Sequence, residues 1–250
     1  MGELRAIPLR GLGEIRPGDD LVPALLRALR ASRQTLERGD ILVVTHKIVS
    51  KAEGQIVRLA DVRPSRVARR WARKHGSDAR VVELALAQAR RVVRMQRGVL
   101  ITQTRHGLVC ANSGVDLSNV DGGKSAVLLP VDPDRSAERL HRALRARLGL
   151  HVPVIITDSF GRPWRRGLTE VAIGTAGLKV FRDFRGRRDA AGYKLRATLE
   201  AVADELAGMA GLAAGKLSRT PACIIRGFRS ERGKGRARDL VRPAAEDLFR

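Results

Sequence analysis

Residues 152–167 read VPVIITDSFGRPWRRG, an apolar run that breaks into an acid, a hydroxyl, a glycine and three arginines. The run VPVIIT (152–157) has the length and β-branched content of a buried strand, and its polar sequel falls where a strand ends and a sheet presents its chemistry. Other runs of the same kind are ILVVT (41–45), VLITQT (99–104), GLVCA (107–111), AVLLP (126–130) and ACIIR (222–226). Between them, the spacing of apolar residues predicts helices over 20–38, 64–75, 79–95, 134–148 and 194–213. The fourth is opened by the cap-rich DPDRS and closed by Gly149. The class is therefore α/β in the broad sense, a mixed α+β chain. Strands and helices do not alternate strictly, and the runs joined across RHG (105–107) read as an antiparallel hairpin, which argues against a simple doubly wound sheet. The glycine- and arginine-rich RGFRSERGKGRARD (226–239) holds little apolar material, so a mobile loop is expected over 227–240.

A chain of 250 residues with 44% hydrophobic content can bury a core as one large domain or two small lobes. Cys110 and Cys223 each sit inside an apolar run and read as free buried thiols, not as a disulfide framework. There is no apolar core of signal-peptide type and no run approaching the roughly 18 residues of a membrane span, so a soluble, cytoplasmic protein with no membrane partner is expected. The net charge of +22 attracts polyanions. Yet 40 arginines against eight lysines are spread along the whole chain, and aromatic residues make up only 3%. With so few stacking platforms, nucleic acid is expected to bind only non-specifically, and most of the charge reads as a solvated surface. A basic nucleic-acid-binding protein is the alternative that the charge keeps open.

Nucleotide signatures of the common kinds are missing. DGGKSA (121–126) contains Gly-Lys-Ser, but the first glycine of a phosphate-binding loop would fall at Ser118. No dinucleotide fingerprint appears, and the five histidines lack zinc-site spacing. Two aspartates do follow apolar runs, Asp158 after VPVIIT and Asp116 in CANSGVDLSN. Carboxylates are hard ligands suited to Mg²⁺ or Mn²⁺, and Ser159 adds a hydroxyl beside Asp158. Both aspartates serve equally well as turn or helix caps. Arg162, Arg165 and Arg166 can clamp a phosphate or carboxylate, or be solvated like the other arginines. In THKIVSKAEG (45–54), two of the eight lysines follow a strand within five residues, which suits a phosphate or an ordinary surface turn.

The segments VVTHKIVSKAEG, CANSGVDLSNV, ITDSFGRPWRRG, AIGTAGLKVFRDFRGRRDAAGYKL, VADELAGMAGLAAGK and PACIIRG occur in one order along the chain. In that order and spacing the sequence resembles the coenzyme F-420:L-glutamate ligases, from IPLRGLGEI near the start to DLVRPAAEDLFR at the end. The resemblance implies GTP as co-substrate, two Mg²⁺ or Mn²⁺ ions, and K⁺ as an activator. It implies attachment of L-glutamate to the glutamate-free deazaflavin coenzyme, then extension of a γ-linked tail through an acyl phosphate. It also implies an unusual two-lobed fold in an intertwined homodimer, here as a single ligase domain with no flavin-binding fusion expected.

Carried over by position, Asp116 and Asp158 match the metal-binding aspartates and Ser159 a hydroxyl at the second metal. Lys51 matches the lysine that approaches GTP. Leu12, Gly13, Glu14 and Ile15, the pair His46 and Lys47, Asn119, and the loop from Gly215 and Lys216 to Thr220 match the remaining nucleotide contacts. Arg166 joins Asp116 and Asp158 as a residue expected to neutralise the reacting anions. The sequence departs from the family in two places. His46-Lys47 stands where small hydroxylic residues are often found, and Lys216 stands where Gln or Glu lies near a metal. A cation cannot ligate Mg²⁺, so Lys216 is expected on phosphate.

Overall fold

The computed structural model describes residues 2–248. In chain order the elements are β1 (Arg5–Leu9), α1 (Leu21–Ala31), β2 (Ile41–Thr45), α2 (His46–Ala52), β3 (Ile56–Arg58), α3 (Arg66–His75), α4 (Ala79–Gln88), β4 (Ala89–Gln96), β5 (Val99–Thr104) and β6 (Val109–Ala111). There follow β7 (Ser125–Val127), α5 (Pro133–Leu148), β8 (Val154–Arg162), β9 (Arg165–Ala176), β10 (Arg182–Asp183), β11 (Leu199–Glu200), α6 (Val202–Ala214) and β12 (Ala222–Arg226).

The central sheet has the order β1-β12-β2-β8-β9, with β2 and β8 parallel and every other neighbour antiparallel. Alternation along its strands splits the core in two. Leu42, Val44, Val154 and Ile156 face the cluster that includes Leu25, Ile48 and Leu140 of α1, α2 and α5. Ile41, Val43 and Ile155 face Leu206, Ala207 and Ala210 of α6. Burial on both faces is why ILVVT and VPVIIT carry no polar alternation. A smaller unit, β4-β5-β6 with α3 and α4, has its own core around Ala68, Val82, Ala85 and Leu100. The class is thus mixed α and β with mixed sheets, and the expected hairpin across 105–107 forms, with Thr102 opposite Cys110. Both cysteines are free and buried.

Helix ends follow local chemistry. Asp20, Ser65, Asp78 and Asp132 each accept a backbone N–H as N-caps of α1, α3, α4 and α5. Pro133 opens α5 and Gly149, in the left-handed region at φ 66°, closes it. Three expected helices are shorter than their patterns. The helix expected over 20–38 ends at Ala31, and Arg33 just beyond it is left-handed at φ 52°. The helix expected over 79–95 stops at Gln88, because the β-branched Val92 and its neighbours pair with β5 as β4, with Val93 at a bulge. The helix expected over 194–213 begins only at Val202, and Leu199 and Glu200 pair with β10 instead. The strand expected at 152–157 runs on to Arg162, paired with a long β9 whose polar start gave no strand signal.

The segment 227–240, expected to be a mobile loop, is irregular up to a 3-10 turn at Ala237–Leu240. Polar contacts tie it down along its length. Lys179 N–H donates to Glu231 O, Gly235 N–H to Leu178 O, and Thr175 Oγ1 to Gly235 O. The buried Asp134 carboxylate accepts from the amides of Thr175 (2.9 Å), Ala237 (2.7 Å) and Arg238 (3.4 Å). An anchor about a hundred residues upstream leaves no mark in the composition of the segment itself.

Replacing Asp134 with alanine strands these donors in a buried setting. We expect a loss of about 3 kcal/mol in urea unfolding and faster tryptic cleavage within 227–240. Unchanged stability and cleavage would show that apolar contacts alone hold the segment.

Candidate active site

The last parallel pair of the central sheet is Thr45 beside Thr157. At that level β2 passes into α2 without a loop, while β8 continues to Asp158 and Ser159. The first turn of α2 therefore stands next to the end of the VPVIIT run. His46, 1% exposed, brings Nε2 to 3.3 Å from Asp158 Oδ1, a close approach without hydrogen-bond alignment, and its Nδ1 lies 3.3 Å from Ser50 Oγ. The Ser159 amide donates to the same Asp158 oxygen at 2.7 Å.

Lys47, the next residue, holds the other aspartate. Its Nζ lies 2.8 Å from Asp116 Oδ2 and also donates to Ser118 Oγ. Asp116 is fixed by two backbone bonds to Val127, and its Oδ1 accepts the Ser118 amide at 2.6 Å. Two carboxylates that are 42 positions apart in sequence are thus held by consecutive residues of one helical turn. Lys51, one turn further along α2, is only 7% exposed. It donates to the Glu14 carboxylate and, at 2.7 Å, to the carbonyl of Asn119, whose backbone is left-handed at φ 58°. Leu12 and Ile15 are buried in the main core and Gly13 turns between them at φ 78°, which delivers Glu14 outward to Lys51.

Ser159 points to the opposite face of the sheet from Asp158, as neighbours on a strand must. It lies opposite Glu170 of β9 and donates to that carboxylate. Lys216, next to Gly215 at the end of α6, donates to Ser159 Oγ and lies 3.8 Å from Glu170 Oε1. The loop to Thr220 is closed by its Oγ1, which donates to Ala214 O at 2.8 Å. Arg166 is not gathered with the carboxylates of its own chain. It sits with Arg162 and Arg165 in the exposed turn beyond the Gly161–Leu168 pair, where Arg162 Nη2 donates to the Arg166 carbonyl.

The electrostatics follow these contacts. Burial pushes the Asp116 carboxyl upward, but the Lys47 ammonium and the Ser118 donors outweigh it and hold the group below the usual carboxylate range. Burial, with the charge of Asp158 adding to it, pushes the Cys110 thiol up to about 12, so this thiol is inert. Among the described residues no three His, Cys, Asp or Glu side chains converge as a ready-made cation site. Asp116 and Asp158 nevertheless fit Mg²⁺ or Mn²⁺ of the kind held by one or two carboxylates with phosphate oxygens and water completing the shell. Glu170 and Ser118 were invisible to the sequence reading. Glu170 had one usable signal, a carboxylate at the start of the apolar VAIGTA.

The family model described as F420-0:Gamma-glutamyl ligase matches residues 11–227. The coenzyme F420:L-glutamate ligase of Methanopyrus kandleri is 44% identical over 252 residues, covering 99% of this chain and 98% of its own. The protein of the same name from Methanothermobacter thermautotrophicus is 42% identical over 247 residues, 98% of each chain. That from Archaeoglobus fulgidus is 40% identical over 248 residues, covering 99% of this chain and 96% of its own.

Replacing Lys47 with methionine leaves burial acting on Asp116 with only the Ser118 donors to oppose it, so its pKa is expected to rise. A depressed folded-state pKa contributes stability that is present above the unfolded value and lost as pH falls through the folded one. The wild type should therefore lose more stability than Lys47→Met on acidification from about pH 5 to pH 2. Carboxyl ¹³C titration and urea melts check both statements, and an unmoved Asp116 titration would mean that Lys47 does not set its charge.

Proposed function

The chain belongs to the F420-0:gamma-glutamyl ligase family, and from that premise we propose that it joins L-glutamate to the glutamate-free form of coenzyme F420 and extends the γ-linked tail, with GTP as co-substrate. One observation carries the reading. Glu14, Lys47, Lys51, Asp116, Asn119 and Asp158, drawn from separate segments, meet around a single short helix that follows β2 beside β8.

Forming an amide from a carboxylate in water is uphill, and phosphoryl transfer makes it feasible. The coenzyme's terminal carboxylate attacks the γ-phosphorus, GDP leaves, and an acyl phosphate results. The glutamate amine then attacks the acyl carbon, phosphate departs, and the nitrogen gives up a proton. The obstacle is repulsion, since triphosphate, coenzyme and glutamate are all anionic. Asp116 and Asp158 would hold Mg²⁺ or Mn²⁺, which supplies charge neutralisation at the transferring phosphate, and K⁺ is the expected activator. Lys51 is the point charge placed to meet the nucleotide. Its partner Glu14 has a side chain 71% exposed, so an incoming phosphate can displace that carboxylate into water.

We also propose the two-lobed homodimer of the family. The β8–β9 turn supports it, since Trp164 is 78% and Leu168 66% exposed at its end, beside the arginines that stand apart from their own chain's carboxylates. We propose a cytoplasmic location as well. Among the described residues no helix is long and apolar enough to cross a membrane.

Incubation with GTP, Mn²⁺, L-glutamate and the glutamate-free coenzyme should yield products heavier by whole glutamyl units in mass spectrometry. Asp116→Asn and Asp158→Asn should each lower turnover on the order of 100-fold or more with the fold intact. Near-normal rates at saturating metal would return these aspartates to the role of turn caps. Lys51→Ala should raise the KM for GTP more than that for glutamate, and an unchanged GTP dependence would remove Lys51 from the nucleotide site.

A further inference from the structure

Ser159 and Glu170 face each other across β8 and β9 on the α6 side of the central sheet. A hydroxyl and a carboxylate facing each other across two strands suit a hard cation, but the cation at this place is the protein's own. Lys216 Nζ donates to Ser159 Oγ and stands 3.8 Å from Glu170 Oε1. The end of α6 delivers it, with Gly215 turning the chain at φ 67° and ψ 156°. Gly211 makes room as well, because a Cβ there would collide with the Glu170 side chain. A divalent ion at Ser159 would meet an ammonium at contact distance, and no third His, Cys, Asp or Glu among the described residues stands by to offset it. Like charges this close repel strongly wherever water is partly excluded. Asp116 and Asp158 belong to the other face, where His46 and Lys47 engage them.

We propose that Lys216 takes the place of a second divalent ion. The protein then works with one Mg²⁺ or Mn²⁺ per site, at Asp116 and Asp158, while the Lys216 ammonium supplies the other positive charge to the bound anion. The two-ion arrangement implied by the resemblance does not fit these residues. The identity of the anion rests on the ligase reading, whereas the number of ions does not.

The test counts ions and needs no turnover. Wild type and Lys216→Gln are titrated with Mn²⁺, with and without a non-hydrolysable GTP analogue, and bound Mn²⁺ per chain is taken from the loss of the free-ion EPR signal. With the analogue, wild type should bind one ion and Lys216→Gln two, while Lys216→Arg, which keeps the charge, should stay at one. Two ions in the wild type, or only one in Lys216→Gln, would overturn the proposal. Retention of the analogue on ultrafiltration reads the GTP assignment separately. If none is retained, that assignment fails, and the nucleotide-free titrations decide: an extra ion in Lys216→Gln supports the lysine as a cation substitute and equal counts reject it.

Discussion

The parallel pairing of β2 with β8 carries the molecule, since both strands are buried on both faces, with α1, α2 and α5 packed on one and α6 on the other. Leu42, Val44, Val154 and Ile156 lie under α1, α2 and α5, and Ile41, Val43 and Ile155 under α6. Each such side chain gains about 1.5–3 kcal/mol from leaving water, set against the entropy of ordering the chain. A slip of one residue would send each side chain into the wrong layer, so the register is strongly specified. That register puts Thr45 level with Thr157, and the chemistry follows from it. One strand turns into α2 at the level where the other delivers Asp158.

Charge then sets the fine geometry. A lysine as buried as Lys51 is costly unless paired, and an imidazole as buried as His46 must keep its polar atoms close to partners. The solution here is local neutrality: Lys47 with Asp116, Lys51 with Glu14, Lys216 beside Ser159 and Glu170. Under the proposed function, an anion would enter a site balanced in this way by taking the place of one of these carboxylates. The partner that leaves most easily is Glu14, the most exposed of the carboxylates.

What could be read from the sequence follows the same physics. Runs buried on both faces announce themselves, so ILVVT and ACIIR coincide with β2 and β12 residue for residue. Asp158 and Ser159 were legible as polar groups following an apolar run, although β8 continues past them to Arg162, and period-2 geometry separates them onto two faces. Which face meets which helix depends on the tertiary fold, and so Glu170 stayed hidden until β9 was seen beside β8. The apolar spacing of VVELALAQARRVV continues past Gln88 although the helix does not, because pairing with β5 outweighs a pattern that both structures accept. The composition of 227–240 is silent for a related reason: the Ala237 amide of this segment donates to a carboxylate on α5, far away in sequence. The proposed function was legible only through the resemblance, since the contacts that bring Glu14, Asp116 and Asp158 to α2 join separate segments.

The distribution of cations separates surface from site. Arginine supplies 40 of the 48 basic residues, yet the contacts to Asp116, Glu14 and Ser159 come from Lys47, Lys51 and Lys216, three of only eight lysines. An ammonium is a compact charge on a flexible stem, able to sit on one oxygen and move to another. A guanidinium is a planar fork that rewards a fixed bidentate partner, as Arg226 does on Asp40. The exchange of partners in the proposed function suits the former. The net charge of +22 is therefore a property of an arginine-rich exterior, while the end of the sheet around α2 and α6 sets its few lysines against carboxylates.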